Sequence, residues 1–201
     1  MGLGVVAYAK LEKVTDERAE RVRSAECVYE ACDEEDLLHF LVQEEAFPGR
    51  ERPLEKGEFY ETGEGSRHMR AGSYSGYGEW RRQLAALVGI DDIEDFWRRV
   101  GEQVERGEEP NVPFWKLLHF SDCEGVIGAE ACGELAAQFA EWRGRALEHA
   151  RARFREECPI SDEEFSEEGR GWTRAEHFWA KYREWQQMFE FAADGGAVQF
   201  C

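Results

Sequence analysis

Two carboxylates, a hydroxyl, a thiol and two glycines fall within nine residues, Phe120-Ser121-Asp122-Cys123-Glu124-Gly125-Val126-Ile127-Gly128. An apolar run from Pro113 to Leu118 precedes them, and a long amphipathic pattern follows. Reactive groups on a glycine-hinged loop between buried elements have the rigid supports and adjustable backbone that a site needs. Three kinds of chemistry are open to them. In the first, Cys123 is a nucleophile near the start of the following helix, whose free N–H groups favour a thiolate. His119 is then the base and Asp122 its orienter. Against this, Asp122 and Glu124 flank the thiol and oppose its ionisation, and a cysteine also packs well as an inert core residue. In the second, Ser121, Asp122 and Glu124 offer oxygen ligands of the kind Mg²⁺ or Ca²⁺ takes. Their spacing matches no EF-hand loop, and His39, His68, His149 and His177 are scattered. Two acids are a small ligand set and can equally accept hydrogen bonds from backbone or arginine. In the third, nothing reacts. Gly125 and Gly128 let the backbone approach a ligand closely, and the helix start beyond them suits an anion.

The third option draws in a second segment. Arg70, Ser73, Tyr74, Ser75, Tyr77, Trp80 and Arg81 interleave small residues with aromatics and arginine. Such a run suits a planar, charged ligand such as a nucleotide, because rings stack and arginine pairs with phosphate. A purely structural role is equally well defined: Tyr77 and Trp80 lie on the core face of a helix, and Ser73 or Ser75 caps it. The expected ligand-binding set joins Arg70, Ser73, Tyr74, Ser75, Tyr77 and Arg81 to Ser121, Asp122, Glu124 and Gly125. Acids between apolar elements are costly unless paired or used. The 120–128 loop is therefore expected beside the 70–81 segment, lining one pocket, with Arg70 or Arg81 approaching Asp122 or Glu124. Arg70 is the expected partner, because Arg81 follows Trp80 on a helix and faces solvent.

The elements that must hold these residues follow from periodicity. Residues 3–11 alternate as a strand, with Val5, Ala7 and Ala9 on one face. Residues 37–47 read as a second strand that Pro48-Gly49 ends. Residues 58–61 and 68–70 read as short strands joined across Gly63-Glu64-Gly65. From Ser73 the period turns helical, with Tyr77, Trp80, Leu84 and Leu87 on one side and Gly89 as the stop. Asp91 or Asp92 caps a second helix carrying Ile93, Phe96, Trp97, Val100 and Val104. A short helix over 114–119 leads into the loop. Beyond it, Cys132, Leu135, Ala136, Phe139, Trp142, Ala146, Leu147, Ala150 and Phe154 mark a long helix that Cys158-Pro159 ends. Thr173 and Glu176 form a capping box that opens a last helix, with Phe178, Tyr182, Trp185, Phe189 and Ala192 on its core face. Asp194-Gly195-Gly196 closes it, and residues 197–201 read as a strand. Terminal strands with helices between them predict an α+β fold. Its small, mostly antiparallel sheet includes both chain termini and packs against four or five helices, all in one domain over residues 1–201.

Composition narrows the functional classes. The 201 residues carry 43 acids against 25 bases, a net charge of −18. That surface repels nucleic acid and anionic membranes, so direct nucleic-acid binding is not expected. Solubility explains the charge, and imitation of a nucleic acid's charge is the sharper alternative. No run approaches the roughly 18 apolar residues of a membrane span, and the N-terminus lacks the basic and apolar regions of a signal peptide. Val6 occupies the position where a myristoylation motif needs Ser or Thr. The six cysteines, Cys27, Cys32, Cys123, Cys132, Cys158 and Cys201, contain no C-x-x-C spacing. They are expected to be reduced, in a cytoplasmic protein.

Three segments also carry a resemblance. They are Ala71–Ala85, then Pro113–Gly128 running on through Leu135, Phe139 and Trp142, and Phe189–Phe200, with the opening Met1-Gly2-Leu3. Together they resemble a family of uncharacterised bacterial and bacteriophage proteins, over roughly half of the chain. The family usually has Asn where this chain has His119, and Pro where it has Ala129. The resemblance implies no established activity. Three functions compete. One is a binding protein for a small polar or nucleotide-like ligand, which in a phage setting would sequester a host defence signal. The second is a hydrolase or transferase using Cys123, or a divalent metal held by Asp122 and Glu124. The third is an acidic interaction protein that covers a basic partner surface.

Overall fold

The computed structural model describes residues 2–14, 17, 20, 39–41, 45–47, 53–120, 125–159, 164–168 and 173–200. Contacts divide the chain into two compact units. A sheet unit takes residues 4–70, 123–134 and 188–201, and a helical unit takes residues 1–3, 71–122 and 135–187.

Eight strands are described: β1 (Leu3–Tyr8), β2 (Leu11–Lys13), β3 (His39–Leu41), β4 (Glu45–Ala46), β5 (Phe59–Thr62), β6 (Ser66–Gly72), β7 (Gly125–Gly128) and β8 (Ala197–Phe200). They form a five-stranded sheet of order β4-β7-β8-β1-β6 and a three-stranded sheet of order β2-β5-β3. The two ends of the chain pair antiparallel, Val5 opposite Phe200 and Tyr8 opposite Ala197. β7 runs antiparallel to β8 and parallel to β4. β1 works as a strand because Leu3, Val5 and Ala7, two apart, are all buried. Tyr8, Tyr60, Val126 and Ala197 form a buried cluster, with Val6, Leu11 and Leu54 packed against it.

Two expectations change here. The 37–47 strand is two pieces: β3 lies in the three-stranded sheet and β4 in the five-stranded one, with residues 37–38 and 42–44 outside the described residues. The 120–128 loop is not a loop throughout, because its last four residues are β7. Val126 and Ile127 are fully buried between glycines. Two β-branched residues suffice for a strand when partners flank it on both sides. The glycines at each end disguise the run as a turn.

Five helices are described: α1 (Tyr74–Leu87), α2 (Ile93–Glu105), α3 (Trp115–His119), α4 (Ala129–Glu157) and α5 (Arg174–Ala192). With the mostly antiparallel sheet they make the fold α+β. The Ser73 side chain caps α1 by accepting from Gly76 N, and Asp92 caps α2 by accepting from Glu94 N and Asp95 N. At α5, Glu176 N donates to Thr173 Oγ1 while Thr173 N donates to Glu176 Oε2, which completes the capping box. Burial pushes the Glu176 carboxyl up, but the bonds it accepts from Ser166 N, Thr173 Oγ1 and Thr173 N outweigh it and hold the group below its ordinary range.

The helical unit is organised by aromatic rings. Trp185 is fully buried and lies 5.7 Å from both the Tyr77 and Trp80 rings. Phe114, Phe139 and Tyr182 meet edge to face at 4.7–6.4 Å, and Tyr182 Oη donates to Phe139 O at 2.8 Å. The predicted face of α5 is thus correct: Phe178, Tyr182, Trp185, Phe189 and Ala192 are all fully buried. On α2 the pattern runs out one turn early, for Val104 is 40% exposed. No described helix is long and apolar enough to cross a membrane. Cys132 and Cys158 are free thiols; the other four cysteines lie outside the described residues.

Candidate functional site

The predicted residues separate into three groups. Ser73, Tyr74 and Ser75 are exposed at the start of α1. Ser73 spends its hydroxyl on the cap and lies 3.1 Å from Ser75 Oγ. Tyr74 is 44% exposed, and it and Val104 are the large exposed hydrophobics among the described residues. No acidic residue occupies the first turn of α1. Gly72 before it has φ +114°, a backbone that side-chain-bearing residues rarely adopt, and a Cβ there would meet open space.

Tyr77 and Arg81 form the second group, and they are buried rather than offered to a ligand. Arg81 was expected to face solvent; it is 5% exposed. Its guanidinium lies 4.7 Å from the Tyr77 ring centre and 5.2 Å from that of Trp97, and Nη1 donates to Phe120 O at 2.8 Å. A planar, weakly hydrated cation tolerates this place because two aromatic rings and a carbonyl receive it. Trp97 assists: its Nε1 donates to Leu118 O at 2.7 Å. α3 has only five residues, so its last carbonyls depend on outside donors, and Trp97 and Arg81 supply two. Periodicity places Trp97 on the apolar side of α2 but does not foresee its bond to Leu118 O. The usable signal was its indole N–H, which needs a partner when buried.

Replacing Arg81 by Met should cost about 2–3 kcal/mol, from a buried carbonyl left bare and the lost ring contacts. Lys in its place should recover little, lacking the fork. Denaturant unfolding measures both, and a cost under about 1 kcal/mol would mean that Phe120 O finds another donor.

The third group lies around the sequence loop. Ser121, Asp122, Cys123 and Glu124 lie outside the described residues. Gly125 opens β7 opposite Phe200 with φ +126°. Arg70 is exposed on β6. The expected meeting of the 70–81 and 120–128 segments therefore rests on Arg81 and Phe120. His119 is half-buried, and its Nδ1 makes no hydrogen bond among the described residues. Among those residues no three His, Cys, Asp or Glu side chains could hold a metal ion together.

His119, His149 and His177 all belong to the helical unit, and burial lowers the proton affinity of each. Arg153 adds to the effect at His149 and Lys181 at His177. The sign follows from linkage. The unfolded chain binds these protons near the ordinary value of 6.5, whereas the folded chain resists them to lower pH, so stability is full above that value and lost below it. Glu176 adds a further loss only below its ordinary 4.5. The thermal midpoint should thus fall as the solution is taken from about pH 7.5 to about pH 5, with His149→Gln flattening the fall. A midpoint independent of pH over that range would contradict the burial of these rings.

The chain matches no protein-family model, no curated protein and no solved structure.

Proposed function

We propose that the protein is a cytoplasmic binding protein for a small polar or nucleotide-like ligand, received at the start of α1. The supporting observation is the contrast of that turn with its surroundings. In a chain of net charge −18, it carries no acid and presents an exposed tyrosine ring between two serines. A ring face suits a base, and hydroxyls with helix N–H groups suit a phosphate. Tyr77, Trp80 and Arg81 beneath it are buried, so the platform is stiff. In the bacteriophage setting implied by the resemblance, such a protein would withdraw a host defence signal by binding it.

Titration calorimetry with a panel of mono-, di- and cyclic nucleotides tests this. One class should bind saturably, and Tyr74→Ala should weaken it at least about tenfold, since stacking contributes ~1–3 kcal/mol per base. The same change should move stability by less than about 0.5 kcal/mol, because the side chain is exposed. Binding that ignores Tyr74→Ala, or no binding by any nucleotide, would remove the reading.

A further inference from the structure

We propose that a cleft beside α2 is a second ligand site, one for an uncharged planar heterocycle such as a nucleobase or nucleoside. It does not depend on the site at α1. Phe96, Arg99, Val100 and Gln103 recur at three and four residues and form one face of α2. The helix then ends in a left-handed glycine, Gly107 with φ +72°. Gly107 N donates to Val104 O and Glu108 N to Gln103 O, the bonding of a Schellman turn. The chain leaving that turn supplies Asn111 and Val112 as the other wall. Between them lies a cleft of about 370 Å³, within the ~300–1,000 Å³ of small-molecule sites.

The chemistry of the walls selects the ligand. Phe96 and Val100 make an apolar floor, each 2% exposed. The side-chain amides of Gln103 and Asn111 line the cleft and bond to no other described residue. An amide carries a donor and an acceptor side by side, which matches the edge of adenine. The arginines do not make this an anion site. Arg99 Nε donates to Asp95 at 2.8 Å, and Arg106 holds Glu108 through two nitrogens at 3.1–3.2 Å. Glu102 also lines the cleft. A phosphate here would meet the Glu102 carboxylate and two arginines already paired with Asp95 and Glu108, whereas a neutral ring can use the amides and the apolar floor.

The test follows the side-chain NH₂ resonances of Gln103 and Asn111 in the intact chain while adenosine, guanosine, cytidine or uridine is added. Adenosine should shift both saturably. Gln103→Leu and Asn111→Leu should each weaken it at least about tenfold, the loss expected when a ~1–3 kcal/mol bidentate contact goes. Asn111 is exposed, so the second variant tests the site even if the first disturbs the fold. Adenosine monophosphate should bind no more tightly than adenosine. No shift with any nucleoside overturns the proposal. So does affinity unchanged in both variants, or a monophosphate that binds tenfold more tightly. The Tyr74→Ala change should leave these shifts intact, so failure here is distinct from failure at α1.

Discussion

Trp185→Ala is expected to destabilise the protein by about 3–5 kcal/mol, the range for large aromatic core truncations. The indole is fully buried, stacked on Trp80 and tilted against Tyr77, each at 5.7 Å. Removing it empties the meeting point of α1 and α5 in the helical unit. Those rings cannot collapse into the space, because Trp80 Nε1 also donates to Phe178 O at 3.3 Å and Arg81 lies against Tyr77. The cost should therefore sit toward the upper end. Denaturant unfolding followed by circular dichroism measures it. A loss below about 1 kcal/mol would mean that the burial of α5 is misassigned.

Gly196→Ala should be the other severe substitution, for a different reason. A Cβ at Gly196 would stand 1.8 Å from Tyr8 O and 2.7 Å from Tyr8 C. The obstacle is backbone, so no rotamer change relieves it. Gly196 immediately precedes β8, whose first residue, Ala197, pairs with Tyr8. The two strands must part locally, in the sheet that joins both ends of the chain. The expected cost is about 3 kcal/mol or more, at or above the usual range for overpacking. Gly195→Ala at its neighbour should cost only about 1 kcal/mol, because φ +63° there is a conformational demand rather than a collision. A thermal melt of the pair decides the matter: equal midpoints would refute the steric account.

The helices were legible because their signals are local. Ser73, Asp92 and the Thr173–Glu176 box cap as their positions in the sequence imply. The apolar stripe of α5 is buried residue for residue. The candidate site was legible only in part. Exposure of Tyr74 and burial of Tyr77 follow from helical spacing, whereas the burial of Arg81 does not. A charged side chain beside a core tryptophan has two outcomes, and the choice depends on whether rings and a carbonyl elsewhere in the chain are placed to receive it. The partner carbonyl is 39 residues away, beyond the reach of any periodicity.

Taken alone, the sequence determined the α+β class, a mostly antiparallel sheet that includes both chain termini, the helix starts, and the acidic charge. Each depends on neighbours within a turn or on composition. The tertiary structure decided which side chains share a space: Arg81 with Trp97 and Phe120, Gln103 with Asn111, and the strand Gly125–Gly128 between β4 and β8. Strand partners and buried cations are chosen by long-range contacts. A four-residue run carries too few of its own interactions to declare them in advance.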